Sequence, residues 1–240
     1  FGGWLINASS DLANVSNINL SIAFPKNGIN DIKELYGEKI TYYAFPLYKI
    51  NKKIEDLDML SKIIDKSEPD IVHIFGTEYP HSLAFVELCI QKSIKHVISI
   101  QGLISIYAKH YMANLPCNVR KRFTFRDFIK KDNIYEQQKQ FEKRGLIEIE
   151  AIKNTLNIIG RTTWDKACSI QINPKSKYYF CNETLREVFY KHIWDEEHYE
   201  KHSIFTSQAS YPIKGVHYIL EAMPIILKKY PDAKLYIAGN

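Results

Sequence analysis

Asp70-Ile-Val-His-Ile-Phe-Gly-Thr-Glu-Tyr-Pro-His81 is the stretch that decides the fold. Ile71–Phe75 is apolar at neighbouring positions, so an extended chain there carries apolar side chains on both faces. A strand of a parallel sheet covered by helices on both sides requires that composition. Similar β-branched and aromatic runs occur at Ile18–Phe24, Ile40–Phe45, His96–Gln101, Asn157–Gly160, Lys177–Cys181, Ser203–Ser207 and Ala233–Ala238. Helical patterns lie between many of them. Val216, Ile219, Met223, Ile226 and Tyr230 mark one helix face, and Phe141, Ile149, Ile152 and Leu156 another. Gly145 weakens the second pattern, and Pro224 is expected to kink or break the first. Strands alternating with helices predict an α/β fold with parallel sheets.

The polar, aperiodic segment 192–202 suggests a domain border. Residues 1–200 then form one domain and 201–240 open a second. No Met begins the chain, and Ala233–Asn240 reads as a strand running into Gly239, so a fragment cut at both ends is expected.

Composition narrows the class. The chain has 240 residues, 45% hydrophobic and 25% charged, the balance of a globular protein rather than a disordered one. No apolar run approaches the roughly 20 residues of a membrane-spanning helix. The net charge of +5 reads as mild and spread along the chain, with no basic stripe for nucleic acid. Cys89, Cys117, Cys168 and Cys181 show no zinc spacing and suit buried, reduced thiols in the cytoplasm.

The candidate site residues follow strands or precede helices. Gly2 and Gly3 stand before a helical pattern at Trp4–Val15, where a backbone can approach phosphate or sugar, or simply turn. Gly76, Thr77, Glu78 and His81 follow a strand's carboxyl end, the ligand-binding side of open α/β sheets. Glu78 and His81 suit sugar hydroxyls or proton transfer. The structural alternative has Thr77 capping the next helix and Glu78 in its first turn. Gln101, backed by Gly102, can orient a substrate but cannot act as a base; on local grounds turn chemistry is the preferred account. Arg161 can fork onto a phosphate or carboxylate, or pair with Asp165 while Thr162 or Thr163 caps the helix. Lys214, in Tyr211-Pro-Ile-Lys-Gly215, precedes a helix whose dipole disfavours a cation, a conflict that a bound anion removes.

Taken together these residues resemble the GT-B glycosyltransferases of the retaining family 4. The carrying motifs are Phe1-Gly2-Gly3-Trp4, Pro69–Gly76, Ser99-Ile-Gln-Gly102, Ile159-Gly-Arg161 and Tyr211-Pro-Ile-Lys-Gly-Val-His-Tyr-Ile-Leu-Glu-Ala222, followed by Lys228–Gly239. The resemblance implies two Rossmann-like domains, an acceptor-side one here lacking its first strand and a donor domain here truncated. It implies a metal-independent transfer of sugar from a nucleotide-diphosphate sugar, a co-substrate rather than a cofactor, to a hydroxyl. A glycan or lipid-linked glycan of cell-surface polysaccharide or glycolipid synthesis is the implied acceptor. Lys214 falls on the family's diphosphate-binding lysine, with Gly2, Gly3, Ser207 and Gln208 near the donor; Glu78, His81, Gln101, Gly102 and Arg161 would line the acceptor cleft. No catalytic residue is assigned. Three departures stand out: Ala209 replaces the usual arginine, Gln101 replaces a frequent histidine, and the family's paired-glutamate motif lies beyond Asn240. The fragment alone is therefore expected to be inactive. An epimerase or phosphorylase of the same fold, or a non-catalytic glycan- or nucleotide-binding module, are the rival readings. Exposed aromatics around Tyr107–Met112 and the basic balance suggest peripheral contact with an anionic membrane at the cytoplasmic face.

Overall fold

A computed structural model describes residues 3–50 and 52–238. The order of elements is α1 (Gly3–Ala13), β1 (Leu20–Lys26), β2 (Lys33–Tyr36), β3 (Ile40–Pro46), α2 (Asp58–Ser67), β4 (Ile71–Phe75), α3 (Pro80–Gln91), β5 (Lys95–Ser99), α4 (Ile104–Lys109), α5 (Cys117–Lys121), α6 (Phe125–Lys130), α7 (Ile134–Lys153), β6 (Asn157–Gly160), α8 (Thr163–Ile172), β7 (Lys177–Phe180), α9 (Glu187–Tyr190), β8 (Ser203–Thr206), a 3-10 turn (Pro212–Lys214), α10 (Val216–Lys229) and β9 (Lys234–Ile237). The chain is an α/β protein with parallel sheets. It divides into two compact units, residues 1–105 with 143–192, and residues 106–142 with 193–240.

The first unit holds two sheets. Strands β4, β5, β6 and β7 lie side by side in chain order and all parallel, with Ile74 opposite Ile98 and Ile98 opposite Ile158. Parallel neighbours need a crossover, and the intervening helices supply it. Helix α3 buries nearly its whole circumference, Ser82–Val86, Leu88 and Cys89 included, so it is a core helix rather than an amphipathic one. Helix α2 buries only Leu60, Ile63 and Ile64, the i, i+3, i+4 stripe. The other sheet pairs β1 parallel to β3, with β2 antiparallel on the far side of β3. The chain of Lys33-Glu-Leu-Tyr36 gives only a weak alternation, which is why β2 escapes a reading of apolar runs; the tight turn from Gly37 to Ile40 sets its register.

Two expectations about covering and continuity are corrected. Strand β4 is the outer strand of its sheet, and Ile71 is 58% exposed on the face that also carries His73, whose ring stacks on Phe75 and bonds Ser99 Oγ at 2.7 Å, so that face is only partly covered where cover on both was expected. Helix α10 continues on both sides of Pro224, which removes one N–H from the ladder without ending the helix.

Helix α7 is also different from its apolar pattern. Phe141, Gly145, Glu148 and Ile152 are buried, with Ile147 and Ala151 beside them, while Leu156 lies past the helix and is 60% exposed. Gly145 is required by a close approach: a Cβ there would stand 2.7 Å from the Ser105 Cα. Gly145→Ala should therefore lower stability by about 1–2 kcal/mol, because overpacking outweighs the better helix propensity of alanine. Urea unfolding of the variant checks this; equal or higher stability would mean that the helix does not sit against Ser105.

The second unit contains β8 and β9, a parallel pair joined through α10, together with α5 and α6. Residues 191–202 form no helix or strand. The four cysteines are free; Cys89 is buried and its thiol is pushed up to about 11 by burial, but Cys117 and Cys181 are exposed, contrary to the expectation of buried thiols. Among the described residues no helix is long and apolar enough to cross a membrane.

Candidate functional site

The carboxyl ends of β4 to β7 bring the first group of candidates into one region of the first unit. Gly76 ends β4 at φ +86°, and a Cβ there would meet the Tyr79 ring at 3.0 Å, so the turn needs glycine. That turn sends Thr77 and Glu78 inward. Thr77 is fully buried and its hydroxyl donates to Glu148 Oε2 at 2.7 Å, with the Gly102 carbonyl 3.5 Å away. The expected cap role falls to another residue: Tyr79 is the N-cap of α3 and Pro80 its first residue, leaving Thr77 and Glu78 ahead of the helix.

Glu78 is 7% exposed and accepts from Arg144 Nη2 at 2.9 Å, while its Oε2 is buried with no hydrogen-bond partner among the described residues. The Arg144 guanidinium also lies over the Tyr79 ring at 5.7 Å. His81 stacks on Tyr79 at 5.2 Å and meets Phe45 edge-on at 5.4 Å. Burial lowers its pKa to about 4, so the ring is neutral at pH 7 and can donate from one nitrogen and accept at the other.

Gln101 follows β5, and its backbone carbonyl accepts from Arg161 Nη2 at 3.3 Å. Arg161 Nη1 pairs with Glu183 Oε2 at 2.8 Å, so the guanidinium ties the loops after β5 and β7 together. The side-chain pair expected between Arg161 and Asp165 does not form. Asp165 instead accepts from the backbone N–H groups of Arg161 and Thr162 and from the Tyr178 hydroxyl, and closes a capping box with Thr162 at the start of α8.

Glu148 of α7 is the centre of this region and is fully buried. Its carboxylate accepts from the Thr77 hydroxyl, the Ile104 N–H at 3.0 Å, the Ser105 N–H at 2.9 Å and the Ser105 hydroxyl at 2.6 Å. Burial raises its pKa against the pull of these four donors. The loops after β4 and β5 are thus fixed to one carboxylate.

The second unit carries the other group. Ser207 and Gln208 follow β8 and are exposed, and the Thr206 hydroxyl lies 3.4 Å from the Gln208 carbonyl. Lys214 is exposed in the 3-10 turn ahead of α10, and among the described residues it has no ion pair. Gly215 follows at φ +74° as the N-cap of α10, which has no side-chain cap and no acid in its first turn. Tyr211, three residues before Lys214, packs edge-on against Tyr111 at 6.4 Å and Phe141 at 5.6 Å. The Tyr111 hydroxyl donates to Gln137 Oε1, and Asn114 Nδ2 donates to the Tyr218 hydroxyl at 2.7 Å. These contacts anchor the turn at both ends while leaving the ammonium free to meet an anion.

Gly3 begins α1; Gly2 lies outside the described residues, as does Gly239. The surface expected at Tyr107–Met112 is corrected: Tyr111 is fully buried within the aromatic cluster, and Tyr107 and Met112 are half-buried. Sequence reasoning missed Arg144 and Glu148, though an acid and a glycine on the buried face of α7 were a readable sign that the face meets polar groups.

No protein-family model matches this chain, and no curated protein does. Among solved structures, the chain is similar to the crystal structure of LpCGTa in complex with UDP, with 10% identity and a TM-score of 0.43, over 98% of this chain and 67% of that one.

Proposed function

We propose that this chain belongs to a glycosyltransferase that moves a sugar from a nucleotide-diphosphate sugar to a hydroxyl acceptor. The observation that carries the reading is the exposed Lys214, without an ion pair among the described residues, at the uncapped start of α10, just beyond a parallel strand. A helix N-terminus presents free N–H groups and partial positive charge. Together with an ammonium they stabilise a departing diphosphate, which is where charge develops in such a transfer. In this reading Ser207 and Gln208, which follow the carboxyl end of β8, would contact the donor. Glu78, His81, Gln101, Gly102 and Arg161 stand at the strand ends of the first unit, the side on which an acceptor would bind.

The finer reading rests on the family resemblance: a retaining, metal-independent enzyme of family 4, acting in the cytoplasm on a glycan or lipid-linked glycan, with Gly2 and Gly3 near the donor phosphates. Positioning then does most of the work, since the displaced group needs charge stabilisation more than a strong acid. A non-catalytic nucleotide-binding module is the second reading, favoured by Ala209, where the resemblance leads one to expect an arginine.

Titration calorimetry with UDP, GDP and ADP tests the donor site. Lys214→Ala should weaken binding of the preferred diphosphate about tenfold to a hundredfold, the worth of one charge-assisted contact. Lys228→Ala, at the other end of α10, should leave it unchanged. Absence of binding to all three, or equal affinity in the Lys214 variant, contradicts the reading.

A further inference from the structure

We propose that residues 117–131 form a docking surface for an anionic lipid bilayer. This inference stands on its own observations and does not require the transferase reading. The segment Cys-Asn-Val-Arg-Lys-Arg-Phe-Thr-Phe-Arg-Asp-Phe-Ile-Lys-Lys has six cations and one acid. Its net charge of +5 equals that of the whole chain, so the remaining residues balance to zero. The charge is therefore concentrated in one place, a correction to its reading as evenly spread.

The same segment turns its apolar side chains outward. Phe125, Phe128 and Ile129 occupy positions i, i+3 and i+4 of α6 and are 78%, 68% and 63% exposed. That spacing is the face a helix normally buries. Phe123 and Val119 extend the patch at 60% and 47%. No residue of α5 or α6 is buried. The one acid is committed locally: Asp127 closes a capping box with Thr124, and the backbone N–H of Thr124, first among its partners, holds its carboxyl below the usual range. Arg126 pairs with Asp132, but among the described residues Lys121, Lys130 and Lys131 have no ion pair.

Bulky apolar side chains on a helix face flanked by lysines and arginines match the two layers of an anionic membrane surface. The cations meet the headgroups, and the rings enter the acyl boundary. Charge complementarity identifies the occupant. A nucleic acid would match the cations and stack on the phenylalanines, but it offers nothing to Val119 and Ile129.

Co-sedimentation of the intact protein with vesicles tests this, using phosphatidylcholine alone and an equal mixture of phosphatidylcholine and phosphatidylglycerol. Binding is expected to the mixture only and to fall with added salt. The variant Lys121→Gln with Lys130→Gln and Lys131→Gln should bind on the order of a hundredfold more weakly, since each cation near such a surface contributes about a fivefold gain. Phe125→Ser with Phe128→Ser should weaken binding about tenfold or more. All five side chains are exposed, so circular dichroism should show both variants folded. Equal binding to neutral vesicles, no binding to either, or variants that bind like wild type would overturn the proposal. So would preferential binding of a single-stranded oligonucleotide, or a dimer that dissolves in the phenylalanine variant.

Discussion

Glu148→Ala is expected to cost about 3–5 kcal/mol of stability, a loss on the scale of removing a whole core side chain. The reason lies in the number of donors it leaves behind. Two backbone N–H groups, from Ile104 and Ser105, and two hydroxyls, from Thr77 and Ser105, all point at this carboxylate. Hydroxyls can turn elsewhere; backbone N–H groups held at the start of α4 cannot. Glu148→Gln keeps one acceptor oxygen and should lose only about 1–2 kcal/mol. The pH dependence distinguishes the two proteins further. Burial raises the folded pKa above the ordinary carboxyl value of 4.5, so the folded state holds the proton more tightly than the unfolded one. The contribution is therefore fully present below about 4.5 and is lost as pH rises through the folded value. Urea unfolding from pH 4 upward should show wild type losing ground relative to Glu148→Gln. A constant difference would mean that the carboxylate does not titrate differently in the fold.

His81 makes the opposite prediction in the same pH range. Its pKa is lowered from 6.5 to about 4 by burial between Tyr79 and Phe45, so the folded state favours the neutral ring. Its contribution is present above the unfolded value and lost as pH falls through the folded one. The loss reaches about 2 kcal/mol at pH 5 and about 3 kcal/mol at pH 4. His81→Phe keeps a ring against the same neighbours and cannot ionise, so its stability should fall less on acidification. The check is denaturant unfolding at pH 7, 5 and 4 for both proteins. Parallel curves would show that His81 is accessible to protons in the folded protein.

The strands were legible because β-branched and aromatic runs mark them directly: all but β2 lie within a residue or two of the runs in the sequence. Strand β2 was missed because Lys33-Glu-Leu-Tyr36 is polar and held by its pairing with β3 rather than by burial. At the strand ends, the residue types were readable but their partners were not. Nothing near Glu78 in sequence announces Arg144, 66 positions away, and nothing near Thr77 announces Glu148. Asp165 looked available to the Arg161 side chain, yet the backbone and Tyr178 take its oxygens, and the arginine turns to Glu183. The basic patch escaped for another reason. A net charge summed over the chain hides a local excess whenever the rest is balanced, and only exposure reveals that its phenylalanines face solvent.

The transferase reading turns on whether a nucleotide-sugar is consumed. The decisive measurement incubates the full-length protein with UDP-, GDP- and ADP-sugars and candidate hydroxyl acceptors, and follows release of nucleotide diphosphate beside Lys214→Ala. Release is expected from one donor class, dependent on acceptor and strongly reduced in the variant. Binding without release across the acceptors would move the protein to the nucleotide-binding reading, and no interaction with any donor would contradict the assignment of Lys214 altogether.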